Sequence, residues 1–320
     1  MKKLLLILAA AGAVSCGPAL GADAYPSRPI SLVAVFGAGS ASDTVCRVIA
    51  EPLGAALKQP VIVEPRPGAD GALAAQYVAK SNPDGYTLML ATNSPLSADP
   101  FLLKDVSYDA VKDFSPVTRV GSFTLMLVVN PGIPASSIKE LIAYAKANPG
   151  KLSFASGNTS GVVGGETLKH WAGIDMLHVP YKSTPQALTD VIAGRVSMMF
   201  ADLTTALPHV RAGTLRALAV ARIQRSTLVP ELPTMDEAGV TGFDLDAWAG
   251  VVAPAGTPPA IVAQLNGELR KIVDSPDIKT KLKTVGFDAF SSSPEELGDT
   301  IRIQLAKWGK MISDAGITRK

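Results

Sequence analysis

At 320 residues, with 47% hydrophobic and 18% charged side chains, the chain carries enough apolar material for two ordinary domains and is excluded from the disordered class. Its 30 Lys and Arg against 28 Asp and Glu give a formal charge of +2, with no basic run, which excludes an electrostatic footprint for nucleic acid.

The start of the chain reads as a secretory leader. Met1-Lys2-Lys3 is basic, residues 4–14 are apolar, and Ala22-Asp23-Ala24 is a small-x-small cleavage site before Tyr25. The expectation is export to the periplasm with cleavage near Ala24, residues 1–24 being removed. Ala13-Val14-Ser15-Cys16 offers the alternative of lipoprotein processing at Cys16, although Ala13 stands where such signals prefer Leu. No second apolar run approaches the roughly 18 to 20 residues that span a bilayer. Once the leader is gone Cys46 is the sole cysteine, so no internal disulfide can form, and its apolar helical face marks it as a buried thiol.

From Tyr25 onward, strand-like and helix-like stretches alternate. Residues 30–36 read as a strand running into Gly37-Ala38-Gly39-Ser40-Ala41-Ser42-Asp43. A helix begins near Thr44, capped by Ser42 or Asp43, with Val45, Val48, Ile49, Leu53, Ala56 and Leu57 on one face. Pro52 should kink or end it. Strand 61–64, the turn Pro65-Arg66-Pro67-Gly68, helix 71–80 and strand 86–91 follow, and Thr92-Asn93-Ser94 is a contact loop directly after that strand. Alternation at βαβ spacing predicts a mostly parallel sheet flanked by helices, with ligands beyond the carboxyl ends of its strands.

A second series starts with strand 124–130. Ser137-Ile138-Lys139-Glu140 is a capping box for a helix ending near Asn148-Pro149-Gly150. Strand 152–155 then leads into Ser156-Gly157-Asn158-Thr159-Ser160-Gly161 and a helix over 162–172, repeating the first strand-loop-helix junction. Strand 176–179 runs into a loop carrying Tyr181, strand 196–200 into Asp202, and strand 215–220 follows. Residues 245–253 carry the chain back to the first domain. Two helices finish it, the last starting at Ser293-Pro294-Glu295-Glu296. A polar loop at a helix N-terminus exposes free N–H groups at the positive end of the helix dipole, a seat for a carboxylate. Two such loops in two α/β series imply two lobes that face each other and close on a small ligand.

Competing chemistries are weakly supported. Gly37-x-Gly39 opens like a dinucleotide fingerprint, but position 42 is Ser, and Gly157-Asn158-Thr159-Ser160-Gly161 lacks the spacing of a nucleophile elbow. The three histidines, His170, His178 and His209, lie on separate elements, and no spacing reads as a metal site. His178 on an apolar strand is a structural histidine. Tyr181 and Trp248 either flank a ligand or pack between elements, whereas Phe36 adjoins the first loop and is the better cleft side chain.

The residues also carry a family resemblance. Tyr25-Pro26-Ser27-Arg28-Pro29-Ile30, Asp43 with Arg47, Val63-Glu64 with Arg66-Pro67-Gly68-Ala69, and Pro83-Asp84-Gly85-Tyr86-Thr87-Leu88 open a series. It continues with Tyr108-Asp109, Lys112-Asp113-Phe114, Pro116-Val117, Pro149-Gly150-Lys151-Leu152 and His178-Val179-Pro180-Tyr181-Lys182. Arg216-Ala217-Leu218-Ala219-Val220, Pro233-Thr234, Glu237-Ala238-Gly239 and Ala253-Pro254-Ala255-Gly256-Thr257-Pro258 complete it. None is diagnostic alone, but in this order the chain resembles the Bug family, the extracytoplasmic solute-binding proteins of tripartite tricarboxylate transporters, from Tyr25 to about Gly316.

The resemblance implies a two-lobed Venus-flytrap fold, lobe 1 being residues 25–124 with 246–320 and lobe 2 residues 125–245. It implies a binding protein rather than an enzyme, with no cofactor. A carboxylate ligand is held by backbone groups and ordered water at loops 36–43 and 156–161, and the family's ligands include di- and tricarboxylates, amino acids and aromatic acids. The partners implied are a large and a small integral membrane subunit, in ion-driven transport by a monomeric receptor. The expected ligand set is Phe36, Gly37, Ala38, Gly39, Ser40, Ser42, Asp43, Thr92, Asn93, Ser94, Ser156, Gly157, Asn158, Thr159, Ser160, Gly161, Tyr181 and Asp202. Where the family commonly has Pro-Phe-x-x-Gly-Gly, this chain has Val35-Phe36-Gly37-Ala38-Gly39-Ser40, so Ser40 adds a hydroxyl to the cleft. Asp202 is the one carboxylate placed near it. Pointing inward, it would repel a second ligand carboxylate and favour an amine or hydroxyl donor. The rival expectation is an exported α/β hydrolase or transferase using Ser40 or Ser160 with His178.

Overall fold

The computed structural model describes residues 25–245 and 247–319, so the leader and its alternative at Cys16 lie outside the described residues. Two mixed sheets form the framework. In chain order the elements of the first are β1 (Ile30–Ala34), α1 (Ala41–Leu57), β2 (Val61–Pro65), α2 (Ala72–Ala79), β3 (Thr87–Thr92), α3 (Asp99–Leu102) and β4 (Phe114–Phe123). The second contains β5 (Leu125–Val129), α4 (Ile138–Ala147), β6 (Leu152–Ser156), α5 (Thr159–Ala172), β7 (Met176–Pro180), α6 (Thr184–Ile192), β8 (Met198–Asp202), α7 (Leu203–Arg211) and β9 (Arg216–Val220). The chain then returns through β10 (Ala247–Pro254), α8 (Pro259–Val273), α9 (Pro276–Thr284), β11 (Phe287–Ala289) and α10 (Pro294–Asp314).

The strand orders are β11-β4-β10-β3-β1-β2 and β7-β6-β8-β5-β9. The two-lobed α/β architecture therefore stands, but its sheets are not mostly parallel. β1 is parallel to β2 and β3, and β6 to β7 and β8, while β10, β4 and β11 pair antiparallel, as does β5 with β8 and β9. The βα crossovers produce the parallel half of each sheet. The antiparallel half arises where the chain crosses between sheets: Thr124 alone separates β4 from β5, and β10 re-enters beside β3 and β4.

Local chemistry explains the elements. The strands of the sheet centres, such as Leu88, Met89 and Leu90 in β3 and all of β5, are fully buried, as strands covered on both faces must be. Helix α1 presents Val45, Cys46, Ile49, Leu53 and Leu57 to this core and runs through Pro52 without ending. Burial pushes the Cys46 thiol well above its ordinary range, consistent with an inert apolar side chain. Helix α5 lies so close to its sheet that a Cβ on Gly165 would sit 2.1 Å from the Phe154 ring. Helix α10 opens with a complete capping box, Ser293 and Glu296 each accepting the other's backbone N–H.

Four expectations are corrected. Both loop helices start earlier, α1 at Ala41 after an Ser40 cap and α5 at Thr159 after an Asn158 cap, because those side chains accept the free N–H groups of Asp43 and Gly161. In α4, Ser137 caps as expected, but Glu140 reaches back to the N–H and hydroxyl of Ser136. Strands β4 and β11 were not foreseen, since Pro116, Arg119 and Gly121 interrupt the apolar pattern of β4 and β11 is three residues long. Three helices, not two, follow β10.

Candidate functional site

The carboxyl ends of β1, β3, β6 and β8 converge on one cleft. It is lined by Phe36, Ser40, Ala41 and Ser42 from the start of α1, by Thr92, Asn93 and Ser94 after β3, by Phe123 at the end of β4, by Asn158 and Ser160 at the start of α5, and by Thr184 and Asp202. The two sheets touch across it. Asn93 Nδ2 donates to Ser160 Oγ at 2.7 Å, and Thr159 Oγ1 donates to Asp99 Oδ1 at 2.6 Å. The remaining cavity is about 20 Å3, room for about one water. Beside it lies a wider groove of about 700 Å3, bordered by Phe36, Gly37, Ala38 and the turn Pro67 to Asp70 on one side, and by Tyr181, Lys182, Ser183 and Gln186 on the other. In that turn Ala69 and Asp70 both adopt left-handed backbone (φ 45° and 55°), a strained arrangement for non-glycine residues.

Of the expected set, the cleft lining brings together Phe36, Ser40, Ser42, Thr92, Asn93, Ser94, Asn158, Ser160 and Asp202. Gly37, Ala38 and Tyr181 border the groove instead, and the Tyr181 hydroxyl donates to Asp190 at 2.6 Å, which raises its pKa. The others are engaged in building the loops. The Asp43 carboxylate accepts from Gly39 N at 3.0 Å and pairs with Arg47, so it completes the turn of α1 rather than entering the cleft. Ser156 Oγ lies 2.7 Å from His178 Nε2, and that imidazole stacks on Phe154. Gly157 packs against the α6 N-terminus, where a Cβ would meet Thr184 N at 2.2 Å, and Gly161 packs on Ser156. Trp248 is fully buried and donates to Ser97, so it packs inside the first sheet's lobe rather than flanking the cleft. The hydroxyl that meets His178 is that of Ser156, not one of the two serines that the hydrolase alternative required.

Two aspartates dominate the electrostatics. Asp202, 8% exposed, has its carboxyl raised to about 6 by burial, opposed only by its own N–H. It occupies the N-cap of α7, yet its side chain makes no cap bond. Asp99 is fully buried at the start of α3, and burial pushes its carboxyl well above the ordinary range against the opposing Thr159 hydrogen bond. Sequence reasoning missed Asp99. It follows Pro95 and Leu96 in a π-helical turn (Ser94–Ala98) that no periodicity announces.

This geometry, in which helix N-termini from two sheets meet over a cleft, coincides with a family assignment. Residues 45–317 match the model of the tripartite tricarboxylate transporter family receptor, TctC. The chain belongs to this family. It is 34% identical over 306 residues to the protein BugT of Bordetella pertussis, covering 94% of this chain and 93% of that one. Among solved structures, Rpa4515 of R. palustris with adipate superposes with a TM-score of 0.89 at 32% identity, covering 92% of this chain and 100% of that one. MatC from Rhodopseudomonas palustris with bound malate gives 0.84 at 30% identity, covering 90% and 100%. As a TctC-family receptor the chain is a solute-binding protein, not an enzyme.

Proposed function

We propose that this TctC-family receptor captures a small organic acid between its lobes in the periplasm, closes on it, and presents it, as a monomer, to the large and small membrane subunits of a tripartite transporter. The observation that carries this reading is the meeting of the α1 and α5 N-termini in one cleft, across which the loop after β3 reaches α5 through the Asn93–Ser160 hydrogen bond. Free N–H groups and the positive end of the α5 dipole recognise a carboxylate, while Ser40, Ser42, Thr92 and Ser94 supply adaptable hydroxyls around it. The adipate and malate of the related structures are carboxylates, the chemical class that such helix N-termini hold.

The lobes are residues 25–124 with 246–320 and residues 125–245. They move about the two crossings between the sheets, the first of them at Thr124. Arg222 supports the first crossing, donating to Thr124 Oγ1 at 3.2 Å and to Asp288 at 3.4 Å. Isothermal titration of the purified protein with mono- and dicarboxylates of three to six carbons, together with amino acids, tests the proposal. Stoichiometric binding without consumption of the ligand is expected. Turnover of any of these acids would overturn it.

A further inference from the structure

Resting on that reading, we infer that the solute is a zwitterion, an organic acid carrying a primary ammonium group, and that Asp202 is the residue that holds the ammonium. The cleft has an unusual charge inventory. Among the described residues that line it there is one carboxylate, Asp202, and no Lys, Arg or His. More than nine-tenths of Asp202 is buried.

Aspartate at a helix N-cap ordinarily turns its carboxylate back onto the first-turn N–H groups. At α7 it does not, and among the described residues no cation pairs with the carboxylate. The Leu203 N–H is taken by Thr124 O, and Thr205 Oγ1 bonds to the Asp202 carbonyl, so of the local backbone only the Asp202 N–H itself faces the side chain. What is left is a carboxylate that lines the cleft beside Ser40 and Ser160 with no cation to neutralise it.

Charge balance then selects the ligand. A dicarboxylate would bring its second anion into a desolvated space already holding Asp202, with no basic side chain to offset either. A hydroxy acid would donate a hydrogen bond but leave the Asp202 charge unneutralised. A zwitterion satisfies both ends, its carboxylate at the α5 N-terminus and its ammonium on Asp202, with Phe36 and Phe123 providing apolar surface for the carbons between. Asp202 thus separates this cleft from one suited to dicarboxylates such as those named in the related structures.

The test is calorimetric titration of the purified protein with probes matched in length and differing in one group: 4-aminobutanoate against succinate, 5-aminopentanoate against glutarate, and norvaline against 2-hydroxypentanoate. Butanoate reports whether the carboxylate seat works at all. In at least one pair the ammonium member is expected to bind at least tenfold more tightly, and Asp202→Asn should reduce that ratio by at least tenfold, with a cooperative thermal melt showing that the variant is folded. Equal or tighter binding of the dicarboxylate or hydroxy acid by the wild type overturns the inference while leaving the solute-binding proposal intact, as does an unchanged ratio in Asp202→Asn. If no acid binds, butanoate included, the solute-binding proposal falls and the inference with it.

Discussion

The two helix N-termini that face each other in the cleft are built differently. At α1 the chain closes on itself: Ser40 caps Asp43 N, and the Asp43 carboxylate takes Gly39 N and pairs with Arg47. At α5 no acidic residue stands in the first turn, the cap is the neutral Asn158, and the hydroxyls of Thr159 and Ser160 bond to the opposite sheet. A carboxylate in the first turn offsets the roughly half positive charge of a helix N-terminus, so α1 is already compensated and α5 is not. The carboxyl that α5 bonds to, Asp99, does not replace Asp43, because burial holds it toward the protonated form. Two Gly/Ser-rich loops that look equivalent therefore divide the work in the proposed binding mode. The α5 loop is the carboxylate seat, and the α1 loop is a preformed wall offering hydroxyls.

The sharpest way to break this distinction is to give α5 the charge that α1 already has. Ser160→Asp places a carboxylate in the α5 first turn and should weaken binding of an organic acid by about a hundredfold, roughly 3 kcal/mol for like charges about 5 Å apart at an effective dielectric of about 20. Ser42→Asp, beside the compensated α1 turn, should cost less than half of that free energy. Titration calorimetry on both variants compares them directly, and equal losses would erase the asymmetry.

The buried aspartates give a pH signature. The Asp202 carboxyl is raised from 3.8 to about 6 in the folded chain. Its contribution to stability is therefore fully present below about pH 4 and is lost as pH rises through about 6. The loss amounts to roughly 3 kcal/mol. Asp99 shifts in the same direction and adds to the trend. Denaturant titrations at pH 4.5 and pH 7.5 should show the wild type losing stability with rising pH and Asp202→Asn losing less. Parallel profiles would mean that Asp202 is not desolvated.

Smaller effects separate the backbones of the two loops. Gly157→Ala forces a Cβ to 2.2 Å from Thr184 N and should destabilise by about 1–3 kcal/mol. A Cβ on Gly39 meets open space, so Gly39→Ala carries only the strain of φ +78°, about 1 kcal/mol. The loss of either cap is of similar size: Ser40→Ala and Asn158→Ala should each cost about 1 kcal/mol in chemical denaturation. Asn158→Ala should weaken ligand binding more than Ser40→Ala does, because it loosens the uncompensated helix end while Ser40→Ala removes one of several hydroxyls around the ligand.

Much of this was legible in the chain. Capping residues, proline positions and the alternation of apolar runs depend on near neighbours, so both strand-loop-helix junctions and the start of α10 could be read to within a few residues. The helix starts slipped by about three residues at α1 and α5 because Ser40 and Asn158 compete with later polar residues for the cap, and only the backbone conformation shows which side chain reaches the free N–H groups. Asp43 was placed in the cleft on its position alone, while its carboxylate is turned toward Gly39 and Arg47.

Tertiary structure alone decided the rest. Strand β4 has Pro116, Arg119 and Gly121 within it and is a strand because β10 and β11 pair on either side, residues more than a hundred positions away. Asp99 becomes a contact between lobes only because Thr159 is carried to it by a different sheet. Asp202 lines the cleft because its cap position is left unused and Thr124, at the crossing between sheets, takes the next N–H. By itself the sequence determined which loops stand at strand ends and helix N-termini, since capping and periodicity are local. Which of those loops keeps a free positive end, and which buried charge shares the cleft with it, are properties of distant residues brought together, and only the folded chain decides them.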